Sequence, residues 1–129
     1  MVIEPLTSQK WLLCLGALSA CIAVMIGSFG SHYFKEKLDE YALHVFEIGV
    51  KYQFYHSLGL LIIAITSIFL TGALVKLSAW LMMIGIIIFS GSLYTLAITG
   101  VKSWGAVTPI GGIFFIISWL TFIVGIIRS

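Results

Sequence analysis

The chain has 129 residues, of which 9% are charged and 60% hydrophobic, and its formal net charge is +2. Soluble domains carry about 25% charged residues, so this composition excludes a soluble globular domain and a disordered tail. The weak, scattered positive charge also excludes a nucleic-acid-binding protein, because no basic stripe could contact a phosphate backbone.

Four charge-free runs divide the sequence, at residues 11–34, 52–75, 77–101 and 103–127. A helix needs about 20 apolar residues to cross a bilayer. The runs therefore predict an all-α integral membrane protein with spans at about 11–29, 52–70, 77–98 and 109–127. The short connections after spans 2 and 3 require antiparallel neighbours, so we expect an up-down four-helix bundle, with residues 1–129 forming one domain.

Span 1 contains two cysteines, Cys14 and Cys21, seven residues apart on one helix face. This separation is about 10 Å along a helix, too long for a disulfide within it, so we interpret both as packing residues. The sequence ending at Cys21 also fits a bacterial lipobox. The apolar run continues beyond it, however, which favours an uncleaved span over a cleaved lipoprotein.

Small residues recur at helical spacing in three of the spans. In lipid, such positions let helix backbones approach closely, because packing rather than hydrophobic burial drives helix association. The predicted helix-packing positions are Gly16, Ala20, Gly27, Gly30, Gly85, Gly91, Ser92, Gly111, Gly112 and Ser118.

Seven of the twelve charged residues are crowded into residues 35–51, between spans 1 and 2. Asp39 suits the N-cap of a helix that starts near Glu40. Polar side chains from Glu40 to Lys51 then share one narrow sector of a helical wheel. This pattern predicts an amphipathic surface helix at about 40–51 that continues into span 2, with Gly49 as a candidate bend.

Span 4 is preceded by Thr108 and Pro109. Proline suits the first position of a helix, where its missing N–H would have no partner in any case. We therefore predict that Thr108 is the N-cap and that span 4 begins at Pro109.

Four spans place both chain ends on one side of the membrane, here called side A, and the 1–2 and 3–4 connections on side B. Three Lys or Arg residues fall on side A and four on side B, so the positive-inside rule does not decide the orientation. Side chains capable of chemistry gather towards side B, and we call them the side-B cluster: His32, His44, Glu47, Lys51, Tyr52, Gln53, Tyr55, His56 and Tyr94. This cluster is the candidate ligand-binding site.

Each member of the cluster also has a structural interpretation. Glu47 and Lys51 have the favourable i, i+4 order for an ion pair, with proton or ligand handling as the alternative. A hydrogen-bonded structural role is favoured for His56 over a functional one, although intramembrane histidines often mark function. The histidine spacing matches no metal or haem motif, and no nucleophile adjoins a base. We therefore predict no catalytic residue, no bound metal and no cofactor, and an enzyme is the less favoured class.

Four segments also resemble a known family. Residues 27–32 resemble GAFGAH, residues 46–61 resemble FETGVRYQMYHALGLL, residues 89–100 resemble FSGSLYLLALTG, and residues 108–112 match TPIGG. On these segments the chain resembles domain-of-unknown-function family 423, also called uncharacterised protein family 0382, whose animal relative is transmembrane protein 256. Departures are mild, such as Lys51 in place of arginine. The resemblance implies a small multi-pass protein of the bacterial plasma membrane and implies no activity.

Three hypotheses about function follow. The favoured one is an interaction or accessory protein that packs against itself or a larger membrane complex, in contact with membrane lipids. The alternative is a transporter or a protein that binds a small ligand or lipid in a polar pocket at side B. An enzyme acting on lipid or quinone ranks last.

Overall fold

The computed structural model of the chain describes residues 9–129, and that part is built from helices joined by short turns. Four helices are long and apolar enough to cross a membrane, which confirms the predicted four-span, all-α class. They are α1 (Lys10–Phe34), α2 (Glu40–Phe69), α3 (Ala73–Thr99) and α4 (Trp104–Arg128).

Helix α1 is longer than the predicted first span and changes its hydrogen-bonding pattern near its end. It is α-helical over Lys10–Met25, forms a π-helical turn over Ile26–Gly30 and resumes as Ser31–Phe34. We predicted that the first span ends at about residue 29. Instead the helix continues for one further turn on side B.

Helix α2 combines the predicted surface helix and the second span in one element of 30 residues. As predicted, Asp39 caps it, and its Oδ1 accepts a 2.7 Å hydrogen bond from the Ala42 N–H. The helix runs unbroken through Gly49, where a bend was a candidate. Thirty residues span about 45 Å, which exceeds a hydrocarbon core of about 30 Å. The first turns of α2 therefore extend beyond the core on side B.

Helix α4 starts five residues earlier than predicted, so the prediction of Thr108 as N-cap and Pro109 as first residue is wrong. The chain turns at Gly100, whose φ of 70° ends α3 in the left-handed conformation that glycine adopts without strain. The N–H of Trp104 then donates to the Val101 carbonyl, which starts the first turn of α4. Pro109 lies in the second turn, where its missing N–H removes a single bond near the helix end.

The helices pack in the order α1, α2, α3, α4, as adjacent antiparallel neighbours. A side-A core and a side-B core lie along this row. The side-A core is formed by Leu12, Leu60, Ile63, Ala64, Val75, Ala79, Met82 and Phe122. The side-B core is formed by Val45, Phe46, Leu93, Leu96 and Ala97. Helices α2 and α3 supply both cores, and α1 lies on the outside of α2.

Glycines set the closest approaches between these helices. A Cβ at Gly85 would lie 2.6 Å from Phe115 Cδ1, and one at Gly111 would lie 2.7 Å from the Phe89 Cα. Because the latter contact is with backbone, α3 and α4 could not keep this separation with a side chain at position 111.

Most of the remaining predicted packing positions also lie at helix contacts. A Cβ would meet Leu61 at Gly16, Val50 at Gly27 and Phe46 at Gly30, all within 3.0 Å. Ser92 and Ser118 are buried, and Ala20 is half-buried.

Two predicted packing positions lie away from such contacts. A Cβ at Gly91 would have no neighbour within 4 Å, and one at Gly112 would be 3.9 Å from the Phe89 ring. The sequence pattern missed Gly59, where a Cβ would meet Trp119 at 2.9 Å. A Cβ at Gly125, which follows Gly111 and Ser118 at the same seven-residue spacing, would meet Val75 at 3.0 Å.

Candidate functional site

A polar tie crosses three helices within the side-B cluster. Gln53 on α2 donates from Nε2 to the Ser19 carbonyl on α1, at 2.9 Å, and its Oε1 accepts from the Tyr94 hydroxyl on α3, at 2.6 Å. The side chain of Gln53 is only 6% exposed. An amide supplies both a donor and an acceptor, so this one side chain links α1 to α3 through α2.

Ser57, one turn further along α2, extends this tie. Its Oγ lies 2.6 Å from the Ser19 Oγ and 2.6 Å from the Gln53 carbonyl oxygen. If the Ser19 hydroxyl donates to Ser57 and Ser57 donates to the carbonyl, both hydroxyls are satisfied. Among the described residues, every fully buried side-chain nitrogen or oxygen has a hydrogen-bond partner. The buried part of the cluster is therefore a completed network.

His56 and Tyr52 belong to an aromatic layer between α2 and α4. The His56 ring stacks on Phe115 at 3.5 Å between centroids and 9° between planes, and Nδ1 lies 2.8 Å from the Tyr52 carbonyl oxygen. A carbonyl only accepts, so Nδ1 carries the proton in this bond. Tyr52 packs on Phe89 at 4.7 Å. The His56 ring is thus held in place by stacking on Phe115 and by the hydrogen bond to the Tyr52 carbonyl.

The other members of the cluster are exposed, and they lie on separate parts of the surface. His44 and Glu47 line one shallow groove on α2, whereas Lys51 and Tyr55 line another between α1 and α2. In the part of the chain that the structure describes, no salt bridge within 4.0 Å joins Glu47 to Lys51. His32 is exposed near the end of α1.

The cluster therefore separates into a buried network around Gln53 and an exposed surface. Three or more His, Cys, Asp or Glu residues do not come together as a metal site anywhere in residues 9–129. The arrangement can hold helices together, and it offers one charged side chain, Lys51, beside an apolar groove.

Serines that were not predicted to form hydrogen bonds supply several of the interhelical bonds. Ser90 donates to the Gly49 carbonyl at 2.7 Å, which joins α3 to α2. Ser118 was predicted only as a packing residue, yet it donates to the Ser78 carbonyl at 2.6 Å and joins α4 to α3. Ser19, which bonds to α2, was also missed. A hydroxyl in the middle of an apolar run was the available signal, because lipid offers it no partner.

Comparison with known proteins identifies the family. The family model described as "Protein of unknown function (DUF423)" matches residues 26–112, which is more than half of the chain. The chain belongs to this family. It is a small membrane protein, as its named relatives are, with four helices of membrane-spanning length.

Named relatives are similar along nearly the whole chain. The UPF0382 membrane protein YwdK of Bacillus subtilis is 42% identical over 121 residues, which cover 93% of this chain and 98% of the relative. The UPF0382 membrane protein of Staphylococcus epidermidis is 44% identical over 120 residues, with the same coverage. That of Staphylococcus saprophyticus is 47% identical over 117 residues, covering 91% of this chain and 97% of the relative. No solved structure matches the chain.

Proposed function

We propose that the protein is an interaction or accessory protein of the bacterial plasma membrane, which packs through α1 against a second copy or a larger membrane complex. The observation that carries this proposal is the burial of α1. Only 17% of the residues in its most apolar stretch are buried within the chain, against 44% for α2 and 39% for α3. The helix contributes little to either core and leaves most of its surface available.

The outer face of α1 has the composition that close helix contacts use. Cys14, Ala17 and Cys21 follow one another at steps of three and four, and all three are exposed. Small side chains let a neighbouring helix approach closely, and packing of this kind drives helix association in lipid.

The state of the buried polar side chains favours this proposal over transport. Gln53, Ser57 and Tyr94 are bonded to one another or to Ser19, so a substrate that bound them would have to break interhelical bonds. The grooves found on the described residues lie on the outer surface. A transport pathway would need a polar cavity among the helices.

The two natural cysteines make the test direct, since both are free and exposed on α1. We would oxidise native membranes containing the full chain with copper phenanthroline and separate the products without reductant. We expect a disulfide-linked product at the mass of a dimer, or at the combined mass of the chain and one defined partner.

The matched control moves the thiol to another lipid-facing helix. Cys14→Ser and Cys21→Ser are combined with Ile113→Cys on α4, where Ile113 is 55% exposed, and this variant should give little cross-linked product. The proposal is refuted if the natural chain stays monomeric after oxidation and also in native mass spectra from lipid nanodiscs.

A further inference from the structure

A second groove lies between α1 and α2 in the side-B half of the bundle and opens towards the surrounding lipid. Its volume is about 290 Å³, and its lining includes Val24, Gly27 and Ser28 of α1 and Lys51, Phe54 and Tyr55 of α2. Lys51 lies where the charge-free run 52–75 meets the charged segment 35–51, and Ser28 lies seven residues before that segment on α1. The groove therefore starts at headgroup depth and continues into the apolar region.

The local backbone of α1 shapes this groove. The π-helical turn at Ile26–Gly30 changes the direction of the residues that follow Met25, and such turns recur at functional positions in helices. Within this turn, a Cβ at Gly27 would lie 2.8 Å from Val50 Cγ1. Helices α1 and α2 are thus in close contact at Gly27, and the groove is the recess beside that contact.

The lining of the groove is mainly apolar, and its charged residue lies at the side-B end. Lys51 is its single charged lining residue, and Ser28 and Tyr55 add hydroxyls, while Val24 and Phe54 are apolar. Within residues 9–129, no carboxylate lies within 4.0 Å of the Lys51 ammonium. Glu47, one turn away, lines the other groove with Glu40 and His44. An ammonium at the edge of the apolar region is stabilised when an anion meets it.

We infer that this groove binds one anionic phospholipid, with its phosphate at Lys51 and an acyl chain along Val24 and Phe54. Two observations decide between occupants. A helix about 10 Å wide with a pitch of about 5.4 Å occupies about 400 Å³ per turn, which exceeds the recess of about 290 Å³, whereas an acyl chain is narrow enough to enter it. Because no carboxylate among residues 9–129 lies within 4.0 Å of the Lys51 ammonium, the charge favours an anionic headgroup over a zwitterionic one.

The test measures lipid retention by the purified full chain. Native mass spectrometry would follow competition between phosphatidylglycerol and phosphatidylcholine with the same acyl chains. We expect one phosphatidylglycerol to be retained per chain. One lysine near the membrane surface corresponds to about a fivefold preference, so Lys51→Gln should weaken retention about fivefold, while Lys51→Arg should preserve it.

Two matched controls accompany these variants. Lys102→Gln removes an exposed lysine on the same side but outside the groove, and it should leave retention unchanged. Ser28→Phe fills the groove from an exposed position and should remove the bound lipid, whereas Ile113→Phe on the exposed face of α4 should not.

Each outcome decides the inference. Selective retention of phosphatidylglycerol that Lys51→Gln and Ser28→Phe reduce, and that the controls do not, supports it. Equal retention of phosphatidylcholine by the natural chain overturns it, and this result does not depend on any variant folding. Equal loss in Lys51→Gln and Lys102→Gln also overturns it, because the attraction would then belong to the whole side-B surface.

Discussion

Replacing Gln53 with leucine is the sharpest test of how the helices are held together. The change keeps the approximate size of the side chain and removes both of its interhelical hydrogen bonds, to the Ser19 carbonyl and from the Tyr94 hydroxyl. It also leaves the Tyr94 hydroxyl without its partner. Leucine is compatible with the apolar surroundings, so the loss of stability should come from the polar tie alone.

The expected magnitude follows from these bonds. Side-chain hydrogen bonds between membrane helices contribute about 0.6 kcal/mol on average and up to about 1.7, so two of them contribute about 1–2 kcal/mol. An unpartnered hydroxyl costs about 1 kcal/mol more. We therefore expect Gln53→Leu to lower the free energy of unfolding by about 2–3 kcal/mol.

Tyr94→Phe provides the matched partner for a double-mutant cycle. It should cost about 1–2 kcal/mol, because it removes one bond and leaves the Gln53 Oε1 atom unpaired. The double variant has neither unpaired group and loses the shared bond only once, so its cost should be about 2–3 kcal/mol less than the sum of the two single costs.

The assay is reversible unfolding in mixed micelles of increasing SDS content, followed by circular dichroism. Helix α4 makes neither bond, and a variant such as Ile117→Val on its exposed face serves as the control for general effects of substitution. Additive single costs, within about 0.5 kcal/mol, would refute the reasoning that Gln53 and Tyr94 act as one bonded pair.

Three further substitutions test the packing in the same unfolding assay. Gly111→Ala should destabilise the protein by about 2–3 kcal/mol or more, because the new Cβ would overlap the Phe89 backbone; a change below about 1 kcal/mol would contradict the close approach. Gly91→Ala should be neutral or stabilise by up to about 1 kcal/mol, since its Cβ would meet nothing within 4 Å. A clear loss of stability would contradict the open space at this position. Ser118→Ala should cost about 1 kcal/mol by removing the 2.6 Å bond to the Ser78 carbonyl, and Ser118→Thr should retain part of it.

The boundaries of the helices show where local sequence rules succeed and where they fail. Asp39 was predicted as an N-cap and acts as one, because capping depends on a side chain and a backbone N–H three residues away. Pro109 was misplaced, because its position was judged from proline preference alone. The chain begins α4 at Trp104 instead, so Pro109 lies in the second turn, where the i−4 carbonyl loses its usual backbone donor.

The side-B cluster shows the same division at the level of the site. Topology brought Gln53, His56 and Tyr94 to one end of the bundle, as the order of the spans requires. Which of them bond to each other could not be read from the sequence, since Gln53 and Tyr94 are 41 residues apart. The sequence favoured pairing Glu47 with Lys51, but the two line different grooves.

The sequence by itself determined the class of the protein and the number of its spans. Four charge-free runs of sufficient length leave the chain no soluble alternative, because a bilayer requires apolar side chains over the whole width of its core. Only the tertiary structure decided the role of the polar residues. Their partners come from other helices, so the separation of the helices determines whether a side chain is bonded inside, as Gln53 is, or is exposed on the outer surface, as Lys51 is.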